Sequence, residues 1–337
     1  MPGSGREVLD AQARHAADSG IVVGKYMLGM VIGKGLSSEV RLATDMHSDK
    51  VVALKILQKD WIWKNDMSTL VRREIEIMRE LDHPSVVKLI EVFNSETHVF
   101  ISMEAVDGRE LHEEISRNGK LDEDRARGLF MQVMDAVKYI HSLGVAHRDI
   151  KLENLLLSKD GKRVKVTDFG LAARLDEWEG GAAKHRRMAW GKRSNNTRRQ
   201  QVACGTLSYA APEIISSENQ GYDARGVDIW CVGVVLFTIV TGHMPFQGKD
   251  VDATLELIRT AEPSYPKHLS PEVTDLLRGM LTKDPAKRLS VPKVLAHSWS
   301  SPVSVPLALA AAHMHPVEGN HPPLMPRARD AKRLNQF

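Results

Sequence analysis

Within eight residues, from His147 to Asn154, the chain brings together three side chains that suit the transfer of a phosphoryl group. Asp149 can orient a hydroxyl group and accept its proton, Lys151 can stabilise the charge of the transferred group, and Asn154 can ligate a metal ion. Asp168 follows a strand-like run, Val164–Val166, in the motif Asp-Phe-Gly and adds an oxygen ligand suited to Mg²⁺. Together these residues predict a metal-assisted site for phosphoryl transfer.

A glycine-containing stretch and one lysine could complete this site from the N-terminal side. Residues 33–40, Gly-Lys-Gly-Leu-Ser-Ser-Glu-Val, lie between two strand-like runs, and glycine lets backbone amides approach phosphates closely. A plain glycine turn fits the pattern equally well, whereas a dinucleotide fingerprint does not, because a strand rather than a helix follows. Lys55 ends an apolar strand-like run and needs a partner, for which Glu74 is the natural candidate; a snorkelling edge lysine is the alternative.

The elements that must position these residues fall into two parts. From Tyr26 to about Met103 the chain is strand-like, interrupted by one predicted helix over 67–81. After Asp107-Gly108 helices dominate: one begins at an Asp122 N-cap and ends at Gly144, and others are predicted over 224–240 and near 250–260, 271–282 and 291–297. The pattern predicts an α+β fold with a small β-rich lobe and a larger, mainly helical lobe.

Composition narrows the class of protein. The chain has 337 residues, 42% hydrophobic and 26% charged, which favours a folded protein over a disordered one. The formal net charge of +3 is too small for a general binder of polyanions, and the apolar run Trp230–Val240 is too short to span a bilayer. With two cysteines, Cys204 and Cys231, and no signal peptide or myristoylation start, we expect a soluble cytoplasmic protein, with the nucleus also open.

In order along the chain, these motifs and Ala211-Pro212-Glu213 resemble the eukaryotic protein kinases, from Tyr26 to Trp299. At positions 151 and 206, Lys and Thr make the sequence resemble the serine/threonine kinases. The loop Gly-Lys-Gly-x-x-Ser is similar to that of the calcium/calmodulin-dependent group. The resemblance implies a bilobal fold and an ATP-dependent serine/threonine protein kinase in signalling. Its cofactors would be ATP and Mg²⁺, for which Mn²⁺ could substitute.

The resemblance also implies a role for individual residues. The catalytic set would be Asp149, Lys151, Asn154, Lys55, Glu74 and Thr206. The metal ligands would be Asn154 and Asp168. Nucleotide contacts would come from Ile32, Gly33, Lys34, Gly35, Leu36, Ser37, Ser38, Val40, Ala53, Lys55, Met103, Glu104, Val106, Glu110, Leu156 and Asp168, with Met103 as the gatekeeper. A packing column would be formed by Met78, Leu89, His147 and Phe169.

Two departures from the family pattern concern regulation and substrate choice. The usual activation-loop phosphosite is Val202, so we expect activity without phosphorylation there; Ser194 and Thr197, in a basic insert over about 176–201, are alternative sites. We interpret that insert as a solvated loop, or else as a surface for an acidic partner or nucleic acid.

The second departure is Arg109, which replaces a common glycine beside Glu110. The resemblance implies that Glu110 recognises an Arg upstream of the phosphoacceptor; the alternative is that Glu110 is a solvated residue at the rim of the site.

The predicted organisation is a flexible arm (1–24), a kinase domain (25–299, with N-lobe 25–103, hinge 104–108 and C-lobe 109–299) and a Pro-rich, mostly disordered tail (300–337). The expected partners are protein substrates with Ser or Thr acceptors, without membrane or nucleic acid, and the expected state is a monomer. The tail does not support calmodulin binding, because its basic residues lie among prolines. The alternatives are a pseudokinase scaffold and a binder of nucleic acid or acidic protein built on the insert.

Overall fold

A computed structural model describes residues 20–35, 38–175, 207–216 and 222–301. Several predictions lie outside these described residues: the nucleotide contacts Leu36 and Ser37, the catalytic Thr206, the insert over 176–201, and the tail beyond Ser301. Among the described residues, the two-lobed α+β architecture predicted from the sequence is confirmed.

The N-terminal lobe is built on a six-stranded antiparallel sheet in the order β1-β2-β3-β4-β6-β5. Its strands are β1 (Val22–Val23), β2 (Tyr26–Lys34), β3 (Ser38–Asp45), β4 (Lys50–Gln58), β5 (Leu89–Asn94) and β6 (His98–Glu104). One apolar cluster under the sheet includes Tyr26, Leu54 and Phe100. The predicted arm therefore ends too late, because Val22–Val23 already pairs with Tyr26–Met27.

Two helices, rather than the single one predicted, belong to this lobe. Helix α2 (Ser68–Glu80) matches the prediction over 67–81. Helix α1 (Lys59–Lys64) was missed because its six residues are too few to show a helical period, although Ile62 is buried on its inner side.

The C-terminal lobe is mainly helical. Its helices are α3 (Leu111–Asn118), α4 (Glu123–Ser142), α5 (Pro212–Ser216), α6 (Ala224–Thr241), α7 (Val251–Thr260), α8 (Pro271–Met280) and α9 (Val291–Leu295). Short strands add β7 (Gly108–Glu110), β8 (Val145–Ala146), β9 (Leu155–Ser158), β10 (Val164–Val166) and β11 (Ala173–Arg174). The order β10-β9-β7 forms one small sheet, and β8 pairs with β11.

Helix α6 is the core of this lobe. It is the one helix in the described part of the chain that is long and apolar enough to span a membrane, yet 83% of it is buried inside the fold. The prediction of a buried core helix is therefore confirmed. Its first turn is capped by Asp223, which accepts a hydrogen bond from the Arg225 amide, and α4 is capped by Asp122 in the same way, as predicted.

Two long-range contacts close the C-terminal lobe. Arg288 donates to both carboxylate oxygens of Glu213 at 2.6 and 2.8 Å, and also to the Gly226 carbonyl. Trp299 donates to Glu123 at 2.8 Å, and Ser300 is buried behind it. The fold therefore extends one residue past the predicted boundary at 299.

Candidate active site

The predicted catalytic residues of the loop after β8 meet at one carboxylate. Lys151 Nζ donates to Asp149 Oδ2 at 2.8 Å. The Asn154 side-chain amide donates to the Asp149 carbonyl at 2.8 Å and to Oδ2 at 3.0 Å. A short 3-10 helix over Leu152–Asn154 turns the chain so that both side chains reach Asp149. Asp149 is thereby held by two neighbours, as a group that must orient a hydroxyl requires.

Helix α6 holds this loop through one buried carboxylate. Asp228 accepts hydrogen bonds from the backbone amides of His147 at 2.9 Å and Arg148 at 2.6 Å, and from the His141 ring at 2.7 Å. Arg148 has a φ of 65°, a strained conformation for a side-chain-bearing residue, and these bonds stabilise it. Burial alone would raise the pKa of Asp228, but the His141 hydrogen bond and charge outweigh it, so the pKa lies below its ordinary value.

Asp168 is placed by the residues around the Asp-Phe-Gly motif. Its φ is 65°, and the Gly170 amide donates to its Oδ1 at 3.3 Å. His147 Nε2 donates to the Thr167 carbonyl at 3.1 Å, and its ring meets the buried Phe169 ring edge-on at 4.8 Å. Almost half of the Asp168 side chain, 48%, stays exposed. The carboxylate is thus fixed in direction while remaining open to a ligand.

Lys55 joins the N-terminal lobe to this centre. Its Nζ lies 2.5 Å from Glu74 Oε1 and 3.7 Å from Asp168 Oδ1. Burial would lower the pKa of Lys55, but the carboxylates of Glu74 and Asp168 outweigh it and raise the pKa above its usual range. The predicted pairing with Glu74 is confirmed, and the alternative of a snorkelling edge lysine is wrong.

The described residues of the glycine stretch lie at the end of β2 and the start of β3, so a strand rather than a helix follows the glycines. Gly33 and Lys34 lie opposite Val40 and Glu39, and the Gly35 amide donates to the Ser38 carbonyl at 2.7 Å. Most of the other predicted nucleotide contacts lie in paired strands. Ile32 is in β2, Val40 in β3, Ala53 in β4 opposite Met103 in β6, and Leu156 in β9 opposite Glu110, while Val106 follows β6.

Glu104 is predicted to contact the nucleotide through its backbone, and both its amide and its carboxylate have partners within the fold. Its amide donates to the Lys88 carbonyl at 2.9 Å, and its carboxylate pairs with Lys165 at 2.7 Å. The Glu104 amide is therefore already used within the fold and is not a free donor. Of the predicted packing column, Met78, His147 and Phe169 are buried and Leu89 is partly so.

The donor set fits a divalent metal that arrives with phosphates. Both hydrogen bonds of the Asn154 NH₂ group go to Asp149, so the amide oxygen faces away from them and suits a hard cation. The described residues hold no cluster of three or more His, Cys, Asp or Glu side chains that could bind a metal unaided. Mg²⁺ is commonly bound by one or two protein ligands together with substrate phosphates and waters, and the oxygens of Asn154 and Asp168 fit that ligand set.

Carboxylates gather beside the catalytic loop. Burial, followed by the charges of Glu113 and Glu153, raises the pKa of Glu110. Glu153 Oε2 is buried without a hydrogen-bond partner among the described residues. Of these three carboxylates only Glu110 is predicted from the sequence. The signal for Glu153 is its position between the catalytic-loop residues Lys151 and Asn154, whereas Glu113 has no such signal.

Arg109 does not neutralise this acidic rim. Its guanidinium lies 3.4 Å from the buried Glu114, which also pairs with Arg125 at 2.8 Å. Burial would raise the pKa of Glu114, but Arg125 and the other hydrogen-bond donors outweigh it and lower the pKa. Glu114 therefore stays charged and holds the guanidinium of Arg109.

Comparison with known proteins gives a consistent result. The model of the protein kinase domain family matches residues 26–300. CBL-interacting protein kinase 31 of Oryza sativa subsp. japonica is 39% identical over 277 residues, covering 82% of this chain and 58% of the relative. CBL-interacting serine/threonine-protein kinase 26 of Arabidopsis thaliana is also 39% identical, covering 82% of this chain and 59% of the relative. The match thus spans less than two thirds of these relatives.

Proposed function

This chain belongs to the protein kinase family, and from that premise we propose that it is an active serine/threonine kinase of the calcium/calmodulin-dependent group, with a role in signalling. It transfers the γ-phosphoryl group of MgATP to Ser or Thr hydroxyls of protein substrates. One observation supports this above all: Lys55, Glu74 and Asp168 form a connected set across the two lobes. A pseudokinase scaffold would not need this set together with an intact Asp149 cluster.

Each residue of the site has a definite task in this reaction. Lys55 contacts the nucleotide phosphates and is held in place by Glu74. Asp168 and Asn154 hold the divalent ion, proposed to be Mg²⁺, which neutralises charge on the phosphates. Asp149 orients the acceptor hydroxyl and takes its proton, while Lys151, 2.8 Å from Asp149, stabilises charge on the transferred group.

The test is phosphate transfer from labelled MgATP to Ser/Thr peptides by phosphatase-treated protein, with Asp149→Asn beside the wild type. Asn keeps the size of Asp149 but cannot accept the proton, so we expect a loss of turnover of at least about a hundredfold with unchanged MgATP binding. Asp160→Asn, an exposed carboxylate in the β9–β10 turn, is the matched control and should keep full activity. Wild-type protein that binds MgATP without transfer would support the pseudokinase alternative.

We also propose a preference for basic residues upstream of the acceptor. The support is the acidic rim formed by Glu110, Glu113 and Glu153: burial and then the charges of its two neighbours raise the pKa of Glu110, and a guanidinium placed beside these carboxylates would offset their repulsion. The measurement is KM for peptide pairs that differ only in Arg or Ala three residues before the Ser. Glu110→Gln should reduce the difference between the pair, while Glu96→Gln in the β5–β6 turn should not.

Regulation, partners and location complete the proposal. Val202 cannot carry a phosphate, so phosphatase treatment should leave the activity unchanged; a sharp loss that maps to residues 200–206 would contradict this. We further propose a monomer that acts in the cytoplasm without membrane or nucleic-acid binding. The small net charge supports the lack of nucleic-acid binding, and the buried free thiol Cys231 agrees with a reducing compartment. Light scattering of the purified protein and microscopy of a tagged chain test these two points.

A further inference from the structure

The last residue of helix α2, Glu80, forms an ion pair with Arg174 of β11. In β11 Arg174 lies opposite Val145 of β8, so it belongs to the C-terminal lobe and to the segment that follows Asp168. Helix α2 belongs to the N-terminal lobe and carries Glu74, the partner of Lys55. The ion pair therefore joins the helix that positions Lys55 to the chain segment that carries Asp168.

The backbone at the same end of α2 has a separate attachment to helix α4. The Tyr139 hydroxyl accepts a hydrogen bond from the Asp82 amide at 2.9 Å and donates to the Glu80 carbonyl at 3.4 Å. The His83 ring stacks on the Tyr139 ring at 4.9 Å between centroids. These contacts hold the helix end at one point, and a helix held at one point can still tilt about it. Arg174 binds the Glu80 carboxylate, which projects away from the helix axis and from the backbone held by Tyr139, so the ion pair opposes rotations that would carry this side chain away from β11.

A small tilt would be enough to separate Glu74 from Lys55. Glu74 precedes Glu80 by six residues, which is about 9 Å along a helix. A rotation of about 10° around the Glu80 end would therefore move Glu74 by roughly 1.6 Å. The present distance between Lys55 Nζ and Glu74 Oε1 is 2.5 Å, so a displacement of this size away from Lys55 would end the hydrogen bond.

We propose that Glu80 and Arg174 are positioning residues that hold α2 in the orientation in which Glu74 binds Lys55. This inference rests on the proposed kinase function of the same site. The contact is built from two ordinary side chains, so it needs no phosphate, which agrees with Val202 at the usual phosphosite. The Arg174 and Glu80 side chains are 32% and 47% exposed, so salt screens the contact and its loss weakens activity rather than abolishing it.

The test uses charge reversal in the full chain after phosphatase treatment. Glu80→Arg and Arg174→Glu each place like charges together, and the double variant restores an opposite pair with the charges exchanged. The matched control is Lys287→Glu, which reverses one partner of the exposed pair with Asp284 far along the chain from α2. The readouts are kcat/KM on a basic Ser peptide at low and high salt, and hydrogen exchange of the amides of residues 68–80.

At low salt we expect each single reversal to lower kcat/KM three- to tenfold and the double variant to return within twofold of the wild type, with Lys287→Glu unchanged. High salt should reduce these differences. Exchange over 68–80 should become faster in both single variants and recover in the double variant. Unchanged exchange in the single variants, or no recovery in the double variant, would overturn the proposal. A wild type without turnover but with this exchange pattern would refute the kinase function and leave the positioning contact supported.

Discussion

Asp168 combines a strained backbone with a carboxylate that is directed by its neighbours. A φ of 65° costs free energy for any residue other than glycine, and the Gly170 amide and the ordered residues on either side hold the chain there. Burial would raise the pKa of Asp168, but Lys55 and then His147 outweigh it, so the pKa is lowered. Asp168 is therefore ionised throughout the physiological range, as its proposed role of metal ligand requires.

In contrast to Asp168, Glu110 has a raised pKa, and this predicts that the KM for peptide substrates depends on pH. Burial and then the charges of Glu113 and Glu153 raise its pKa, so it takes up a proton at a higher pH than an ordinary glutamate. As the pH is lowered toward that raised pKa, the rim loses negative charge, and KM for an Arg-containing peptide should rise. KM for the matched Ala peptide should change less. Kinetics from pH 7.5 downward measure this, and Glu110→Gln should flatten the dependence for the Arg peptide.

The residue types of the catalytic centre could be predicted because they are local in sequence. Asp149, Lys151 and Asn154 lie within six residues, and all three meet in the structure. Glu113 and Glu153 are forty residues apart, and Glu80 and Arg174 are 94 apart. Their contacts depend on how the lobes fold back on themselves, and neither helical nor strand periodicity carries that information.

At the scale of elements, helix α3 determines which carboxylate the Arg109 guanidinium pairs with, because it carries Glu114. Glu114→Gln removes the charge that holds this guanidinium, which is then free to pair with Glu110. KM for Arg-containing peptides should rise a few-fold. The double variant Glu114→Gln/Arg109→Gly should recover, because the competing cation is gone. A rise in KM that persists in the double variant would show that Glu114 acts only by stabilising α3, which thermal unfolding of both variants would confirm.

Helix α6 stabilises the catalytic loop through Asp228, and this makes the loop depend on one ionised group. Asp228→Asn should lower the free energy of unfolding at pH 7 by about 3 kcal/mol, because buried donors lose their charged acceptor. The folded-state pKa of Asp228 is lowered, so its contribution is complete above its ordinary value and is lost as the pH falls through the lower folded value. Urea unfolding should therefore show a difference from wild type that is constant near neutral pH and shrinks in strong acid. A constant difference at all pH values would contradict the role of the charge.

Long elements could be predicted and short ones could not. The predicted helices over 67–81 and 224–240 agree with α2 and α6 within one or two residues. In α2 apolar residues repeat at helical spacing, and α6 is a long apolar run that begins after the Asp223 cap. Helix α1 and strands β8 and β11 have six residues or fewer, so only tertiary contacts specify them. Two short elements are exceptions: strand β10 matches the predicted run Val164–Val166, and helix α9 (Val291–Leu295) lies within the helix predicted near 291–297.

At the scale of the whole molecule, the nucleotide site joins two lobes, so ligand binding should stabilise both. At about a hundred times its Kd, MgATP should contribute about 2.7 kcal/mol, which corresponds to a rise in Tm of roughly 4–6 °C for a domain of this size. The Asp168→Ala variant should lose the part of the Tm rise that depends on Mg²⁺ and keep any part that ATP alone produces in EDTA. Differential scanning fluorimetry with and without metal measures this. An equal rise with and without Mg²⁺ in the wild type would contradict the assigned metal site.

The ion pair between Glu213 and Arg288 has a consequence for the synthesis of the chain. Its partners are 75 residues apart, and the Arg288 side chain is 1% exposed. During translation at about 5–20 residues per second, Arg288 is made roughly 4–15 s after Glu213. Burying the Glu213 carboxylate before Arg288 is present would be strongly destabilising. Lys55, Asp149 and Asp168 have all been made long before then. A nascent chain therefore carries the candidate catalytic residues well before it can complete the C-terminal lobe, so the proposed activity would begin only after synthesis has passed Arg288.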